Sequence, residues 1–322
     1  MIVDKETFFA LQAKIKDVPY SQTLGWHNTA YKSALNTLLY FVNTLDDPRI
    51  SCYGVLSKKP YVGRILSIVG ISRKKDVNIT EFRAFFKSIV EEGYDMINIT
   101  DFGKYSADFE VGIRRAGFVR PFGLSLCPMS LIVDLASPFQ FHRKWRSHVR
   151  NSIACGNTFY PVEDPTMVDA EEFSRMFGEL KNRKKLSYTC SPENVFYLVT
   201  HGYKLFFMKN KEGVNIAGRL EYQCEKNVYD IYAANTNLGL SNGAVYHLQE
   251  EILKYLSEHG YSEFDYGMIP PSDNHMDDIY IAKSYSGGAP IGYNGQWQYC
   301  KTLIKKYISS VYTFCIHRSQ LY

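Results

Sequence analysis

The chain has 322 residues, with 37 Lys and Arg against 33 Asp and Glu, for a net charge of +4. A hydrophobic share of 45% and a charged share of 22% are those of a folded globular protein, and the length suffices for two domains of ordinary size. So slight a positive excess gives no ground by itself for a DNA partner or an acidic membrane.

The N-terminus carries Asp4, Lys5 and Glu6, which interrupt any apolar run, so no secretory leader is expected. No apolar segment reaches transmembrane length, and the seven cysteines lack CxxC spacing, which fits reduced thiols in a cytoplasmic protein. After an opening segment holding Tyr20, Gln22 and Trp26 come three runs with the alternation of strands, LLYFVN (38–43), SCYGVLSKK (51–59) and RILSIVG (64–70). Phe82, Phe85, Phe86 and Ile89 then take helical spacing, Gly93 ends that helix, and Ile97-Asn98 begins another strand.

MSLIVDL (129–135) has the pattern of a buried strand. Ser137 and Pro138 predict a helix start, with serine as N-cap, and Gly156 predicts its stop. Within it Phe141, Trp145, Val149 and Ile153 fall four apart on one stripe. Arg143, Arg146 and Arg150 fall on another, with Lys144 and His148 nearby and no acid between His142 and Ala154. Such a row reads either as the solvated face of a linker helix or as a site where forked guanidinium donors hold phosphate oxygens.

The second half runs in the same order. A helix near Phe173–Lys184 and the segment ENVFYLVTHGY (193–203) precede strand patterns at KLFFMKN (204–210), NIAGRLEYQ (215–223) and VYDIYAAN (228–235). NLGLSNGAVYHL (237–248) leads into a helix bearing Ile252, Leu253 and Leu256, which Gly260 ends before FDYG (264–267). Phe85/Ile252, Phe86/Leu253, Ile89/Leu256, Gly93/Gly260, Tyr94/Tyr261 and Asn98/Asp265 share one offset, 167 (252 − 85). That period is too long for a solenoid and implies two domains of one fold. The last run, KTLIKKYISSVYTFCIHR (301–318), is amphipathic. It is expected to dock on the second domain, with peripheral contact to a membrane surface as the alternative.

MSLIVDL, RKWRSHVRNSIACGNTF (143–159), FDYG and YIAKSYSGG (280–288), in this order, resemble the FemA/FemB/FemX group, as does PYSQTLGWHNTAY (19–31). The resemblance covers nearly the whole chain. It implies an α/β fold (α+β, mixed sheets) of two tandem GNAT-like domains, 1–136 and 137–322, the second opening with the basic helix and carrying the acyl-transfer site. Members of the group move an aminoacyl group from aminoacyl-tRNA to an amine of a peptidoglycan precursor, and relatives use acyl-CoA. The expected enzyme is therefore an acyltransferase with no tightly bound cofactor. Its co-substrate is aminoacyl-tRNA or acyl-CoA, and its acceptor is a phosphate-bearing cell-envelope precursor. Acyl-CoA-dependent acetylation of an amino sugar, and a non-catalytic pair that binds an envelope sugar, are the rival readings. Ala282 stands where the family often has an aromatic, and 193–203 leaves no room for the helical-hairpin arm of the bridge-building members.

Acyl transfer to an amine needs the amine in line and the tetrahedral oxyanion stabilised. Lys283 matches the family's lysine near the acyl donor, and a cation there supplies about 3 kcal/mol, by analogy with single oxyanion-hole donors. Asp265 is a candidate to orient the amine or take a proton, and Tyr232 and Asn235 end a strand where the related fold lines its acyl site. Tyr20, Gln22 and Trp26 are candidates for a precursor groove, with Trp26 also readable as a buried anchor. Gly239 and Gly243 could present backbone N–H groups to a pyrophosphate. The same stretch fits GxSxG at Ser241, with Asp265 and His275 in hydrolase order. Asn235–Leu238, however, separate it from its strand, and the preceding strands look antiparallel, against a nucleophile elbow.

Overall fold

The computed structural model describes residues 1–32, 37–121, 129–186, 188–269 and 278–316. The chain forms two compact units, Met1–Ser130 with Ile291–Tyr322, and Leu131–Pro290.

The first unit opens with β1 (Ile2–Val3), α1 (Lys5–Gln12) and α2 (Leu24–Ala30), then β2 (Leu38–Val42), β3 (Ile50–Lys59), β4 (Gly63–Val69) and the short β5 (Ser72–Arg73). α3 (Ile79–Glu91), β6 (Met96–Lys104) and α4 (Ala107–Arg115) follow. β1 to β4 pair antiparallel in sequence order, and α3 carries the chain across to β6, which lies parallel to β4. α3 starts at a capping box between Asn78 and Glu81 and buries Phe82, Phe85, Phe86 and Ile89. Each such side chain contributes roughly 1.5–3 kcal/mol on leaving water.

The second unit is built from β7 (Met129–Asp134), α5 (Arg143–Ala154), β8 (Thr158–Val162), α6 (Met167–Lys184), α7 (Pro192–Val199) and β9 (Tyr203–Lys209). It continues through β10 (Asn215–Cys224), β11 (Asn227–Asn235), α8 (Asn237–Ser241), α9 (Ala244–Glu258), β12 (Glu263–Asp265) and α10 (Asp278–Ser284). β8 to β11 pair antiparallel in sequence order, and α9 crosses to β12, parallel to β11. α9 buries Leu248, Ile252, Leu253 and Leu256. It ends before Gly260 as α3 ends before Gly93, both glycines at φ +79° with open space around the missing Cβ, so conformation alone selects glycine there.

The sixth strand of each sheet completes the duplication. β7 pairs antiparallel with β12, and the last strand of the chain, β13 (Ala289–Cys300), pairs antiparallel with β6. Both units therefore share strand order and strand direction throughout. This moves the domain division from the expected single cut at 136/137. The C-terminal residues belong to the first unit, because β13 supplies its missing strand. α11 (Leu303–Ile316) follows β13 there, and Lys305 pairs with Asp95 of the first unit, where docking on the second domain was expected.

The basic helix also begins later than Ser137. Asp134 captures that turn, its carboxylate accepting from the Ala136 N–H at 2.9 Å and the Ser137 hydroxyl at 2.6 Å. The His142 N–H donates to the Tyr285 carbonyl at 2.9 Å, and His142 is the N-cap.

Candidate active site

The candidate site sits in the second unit, on one face of the β10–β11 pair. Gly218, Arg219 and Leu220 oppose Ala234, Ala233 and Tyr232, but Glu221 opposes Asp230, so Ile231 is an extra residue, a β-bulge. Directly opposed residues share a face and adjacent ones do not. The bulge therefore sends Asp230 to the side of Glu221 and Arg219, and Tyr232 to the opposite side with Leu220.

On the first side four charged groups converge. Asp230 accepts from the Arg219 guanidinium at 2.6 Å and from the Lys283 ammonium at 3.0 Å. Lys283 Nζ also donates to the Tyr266 carbonyl at 3.1 Å and lies 5.0 Å from the Tyr266 ring centre. An ammonium has three N–H donors. Two are used, and among the described residues the third has no partner, while the Lys283 side chain is 20% exposed.

Glu221 is completely buried, and neither carboxylate oxygen has a hydrogen-bond partner among the described residues. Burial, then the charge of Asp230, hold its carboxyl well above the usual carboxylate range. Burial would raise Asp230 too, but Arg219 and Lys283 outweigh it and hold that carboxyl low. Burial thus favours the neutral form of Glu221, and Asp230 is the carboxylate that Arg219 and Lys283 both hold. An ammonium held in place in this way is suited to stabilise an anion that forms beside it.

Lys283 thus meets Asp230 and Tyr266, where Asp265 and Tyr232 were expected. Asp265 is buried at the end of β12 and accepts from the Gly267 N–H at 2.9 Å, bracing the turn. Tyr232 packs against Phe177 and Tyr188 at ring-centre distances of 5.9 and 6.4 Å, and burial raises its phenol pKa. Asn235 accepts from the Arg183 guanidinium, which ties β11 to α6.

Both glycines of the 237–248 stretch serve packing. The Gly239 N–H donates to the Thr236 hydroxyl at 3.1 Å, and a Cβ there would stand 2.2 Å from the Ile216 carbonyl oxygen. Gly243, at φ +83°, would put a Cβ 2.3 Å from the His148 carbonyl oxygen, so α5 covers the start of α9. Ser241 lies at the end of α8, its hydroxyl donating to Leu238 O at 3.1 Å, not at a strand-to-helix elbow; His275 lies outside the described residues.

α5 presents Arg143, Arg146 and Arg150 to solvent, without an ion pair among the described residues, while Trp145 and Val149 are buried against α9. Ile153 leaves the buried stripe and is 57% exposed. Trp145 Nε1 donates to Glu250 at 3.1 Å, and His148 stacks on Tyr246 at 4.3 Å. In the first unit Tyr20 packs edge-on against Trp26 at 5.0 Å and stacks on Phe102. Gln22 is fully buried and clamps β3 to β4. Its amide donates to Tyr53 O and Val69 O and accepts from Tyr53 N–H, which leaves it no part in lining a groove.

Arg219, Glu221 and Asp230 escaped the reading of the sequence. Their signal was present: charged residues inside strands whose neighbours are apolar, two of them two residues apart and so on one face.

No protein-family profile matches the chain, and no curated protein matches it. Solved structures do. The crystal structure of FemX aligns at a TM-score of 0.74 over 98% of this chain and 99% of that one, at 15% identity. L-PGS from Bacillus licheniformis aligns at 0.66, over 98% and 97%, at 16% identity. A domain assigned as the C-terminal part of a putative lysylphosphatidylglycerol synthetase from Agrobacterium fabrum aligns at 0.62, over 95% and 96%, at 12% identity. The duplicated α/β architecture of this chain has the fold of FemX over essentially its whole length.

Proposed function

We propose that this chain is an acyltransferase that moves an aminoacyl group from aminoacyl-tRNA to an amine of a phosphate-bearing cell-envelope precursor. The observation that carries the reading is Lys283, held by Asp230 and the Tyr266 carbonyl, with a third N–H donor that has no partner among the described residues. The amine nitrogen attacks the ester carbonyl carbon of the donor. Negative charge gathers on the carbonyl oxygen, where the spare Lys283 donor stabilises it. The carbon–oxygen bond to the ribose then breaks, an amide forms, and the proton lost by the amine ends on the released hydroxyl. Arg219 and Asp230 fix the lysine in place, so little reorganisation accompanies the charge.

A further observation favours aminoacyl-tRNA over acyl-CoA as donor. The Gly239 N–H donates to the Thr236 hydroxyl at 3.1 Å and the Gly243 N–H to Leu240 O at 3.4 Å, so both glycine donors proposed for a pyrophosphate already have partners. The unpaired row Arg143, Arg146 and Arg150 offers forked donors to phosphate oxygens, whether of the precursor or of the tRNA end. Incubation of the protein with charged tRNA, and separately with acetyl-CoA, against a mixed pool of envelope precursors tests this by mass spectrometry. An aminoacyl mass gain on a precursor amine, dependent on charged tRNA, is expected. An acetyl gain with acetyl-CoA alone selects the other donor, and no gain with either overturns the reading.

A further inference from the structure

A second surface, in the first unit, has the chemistry of a membrane contact. On α11 the side chains of Leu303, Ile304, Tyr307 and Val311 are 73, 72, 70 and 61% exposed. Their spacing of i, i+1, i+4 and i+8 puts them on one face. Lys306 flanks that stripe on the helix, Lys301 lies just before the helix begins, and the segment 301–316 contains no acidic residue. An apolar stripe flanked by lysines suits the boundary between headgroups and acyl chains, where the amines reach back to the anionic layer.

The β3–β4 hairpin adds to the same surface. Its tip, Lys58, Lys59, Pro60 and Tyr61, with Lys305 of α11, lines an open hollow of about 560 Å³. Tyr61 is 91% exposed and adopts φ +64°, a strained conformation for a large side chain that no internal contact rewards. Asp95 fixes the two elements side by side. One carboxylate oxygen accepts from Arg64 N–H at 2.7 Å beside the hairpin tip, the other pairs with Lys305, and its carbonyl accepts from Lys301 N–H at 3.0 Å.

We infer that the α11 face and the β3–β4 hairpin tip together dock this protein on an anionic lipid surface, the apolar side chains entering the interface and the lysines meeting the headgroups. Charge decides for a bilayer over a second copy of the chain, because two such faces would bring Lys58, Lys59 and Lys306 against the same lysines, with Asp95 already paired to Lys305. Docking of this kind does not depend on the acyl-transfer reading.

Co-sedimentation of the full chain with vesicles of phosphatidylglycerol mixed with phosphatidylcholine, and of phosphatidylcholine alone, tests it. Binding to the mixed vesicles only, weakening as salt rises, is expected. Lys58→Gln/Lys59→Gln should weaken it roughly twentyfold, at about fivefold per surface lysine. Leu303→Ser/Ile304→Ser should weaken it by about tenfold or more. These side chains are exposed, so both variants should melt as the parent does, which separates lost docking from lost folding. The inference falls if the parent binds neither vesicle, if it binds both alike, or if either variant binds as the parent does. It falls also if light scattering shows a dimer in solution that Leu303→Ser/Ile304→Ser dissolves, which would give the face to a second copy.

Discussion

Replacing Asp230 with Asn removes the carboxylate that two cations share. At 2.6 and 3.0 Å, and an effective dielectric constant of about 20, each attraction is about 5 to 6 kcal/mol before desolvation is subtracted. Deleting one partner of such a buried group costs about 3–5 kcal/mol, because the remaining charges are left uncompensated. Here a substitute stands directly opposite. Without Asp230, and with Arg219 and Lys283 beside it, Glu221 gives up its proton more easily and becomes the counter-ion. The loss in Asp230→Asn should therefore be larger at about pH 5 than at about pH 8.

Glu221→Gln fixes the neutral form and should remove that relief. In the parent, the raised carboxyl of Glu221 contributes stability fully below its unfolded pKa, and that contribution is lost as pH rises through its folded value. Glu221→Gln alone should thus gain on the parent between about pH 5 and pH 8. Asp230, held low, has the opposite sign: its contribution is present above its unfolded pKa and is lost as pH falls through the folded value. Urea unfolding of the parent, both single variants and the double variant at the two pH values gives the cycle. At the higher pH the double variant should lose at least about 1 kcal/mol more than the sum of the singles. Additivity within about 0.5 kcal/mol at both pH values would refute the shared-charge argument.

Three other outcomes are expected. Gly243→Ala should cost about 2 kcal/mol or more in unfolding free energy, from its φ of +83° and the 2.3 Å approach to the His148 carbonyl, whereas Gly213→Ala, with open space around it at φ +80°, should cost less. Arg146→Glu/Arg150→Glu should melt as the parent does, and by filter binding should weaken retention of tRNA at low salt by about tenfold or more. Tyr232→Phe should keep steady-state turnover within about threefold of the parent, because the bulge at Ile231 turns Tyr232 away from Lys283.

The duplication was legible because it rests on local signals. Gly93 and Gly260 each need a positive φ, and the apolar residues before them carry the period of a buried helix face. What stayed hidden was long-range pairing. Nothing near residue 291 says that this strand belongs beside β6, far earlier in the chain, since an apolar strand pattern does not name its partner. The start of α5 was misplaced because Asp134 competes for the backbone that Ser137 and Pro138 would have capped. At the site, Lys283 came from resemblance, but its partners did not. A one-residue bulge reversed the facing of Tyr232 and Asp230, and alternation alone predicts the two on the same side. Gly239 and Gly243 show the converse, since a glycine kept for close backbone approach looks in sequence like one kept for a phosphate.

The most direct test is Lys283→Met, which keeps most of the packing and deletes the charge. Single-turnover acyl transfer, with donor and acceptor affinities measured separately, distinguishes the roles of this side chain. If the spare donor of Lys283 stabilises the oxyanion, the rate should fall roughly a hundredfold or more while both affinities change little, because that charge develops mainly in the transition state. A Lys283→Met variant that transfers at the parent rate would remove the lysine from the mechanism, and one that loses affinity while keeping its rate would make it a binding group only.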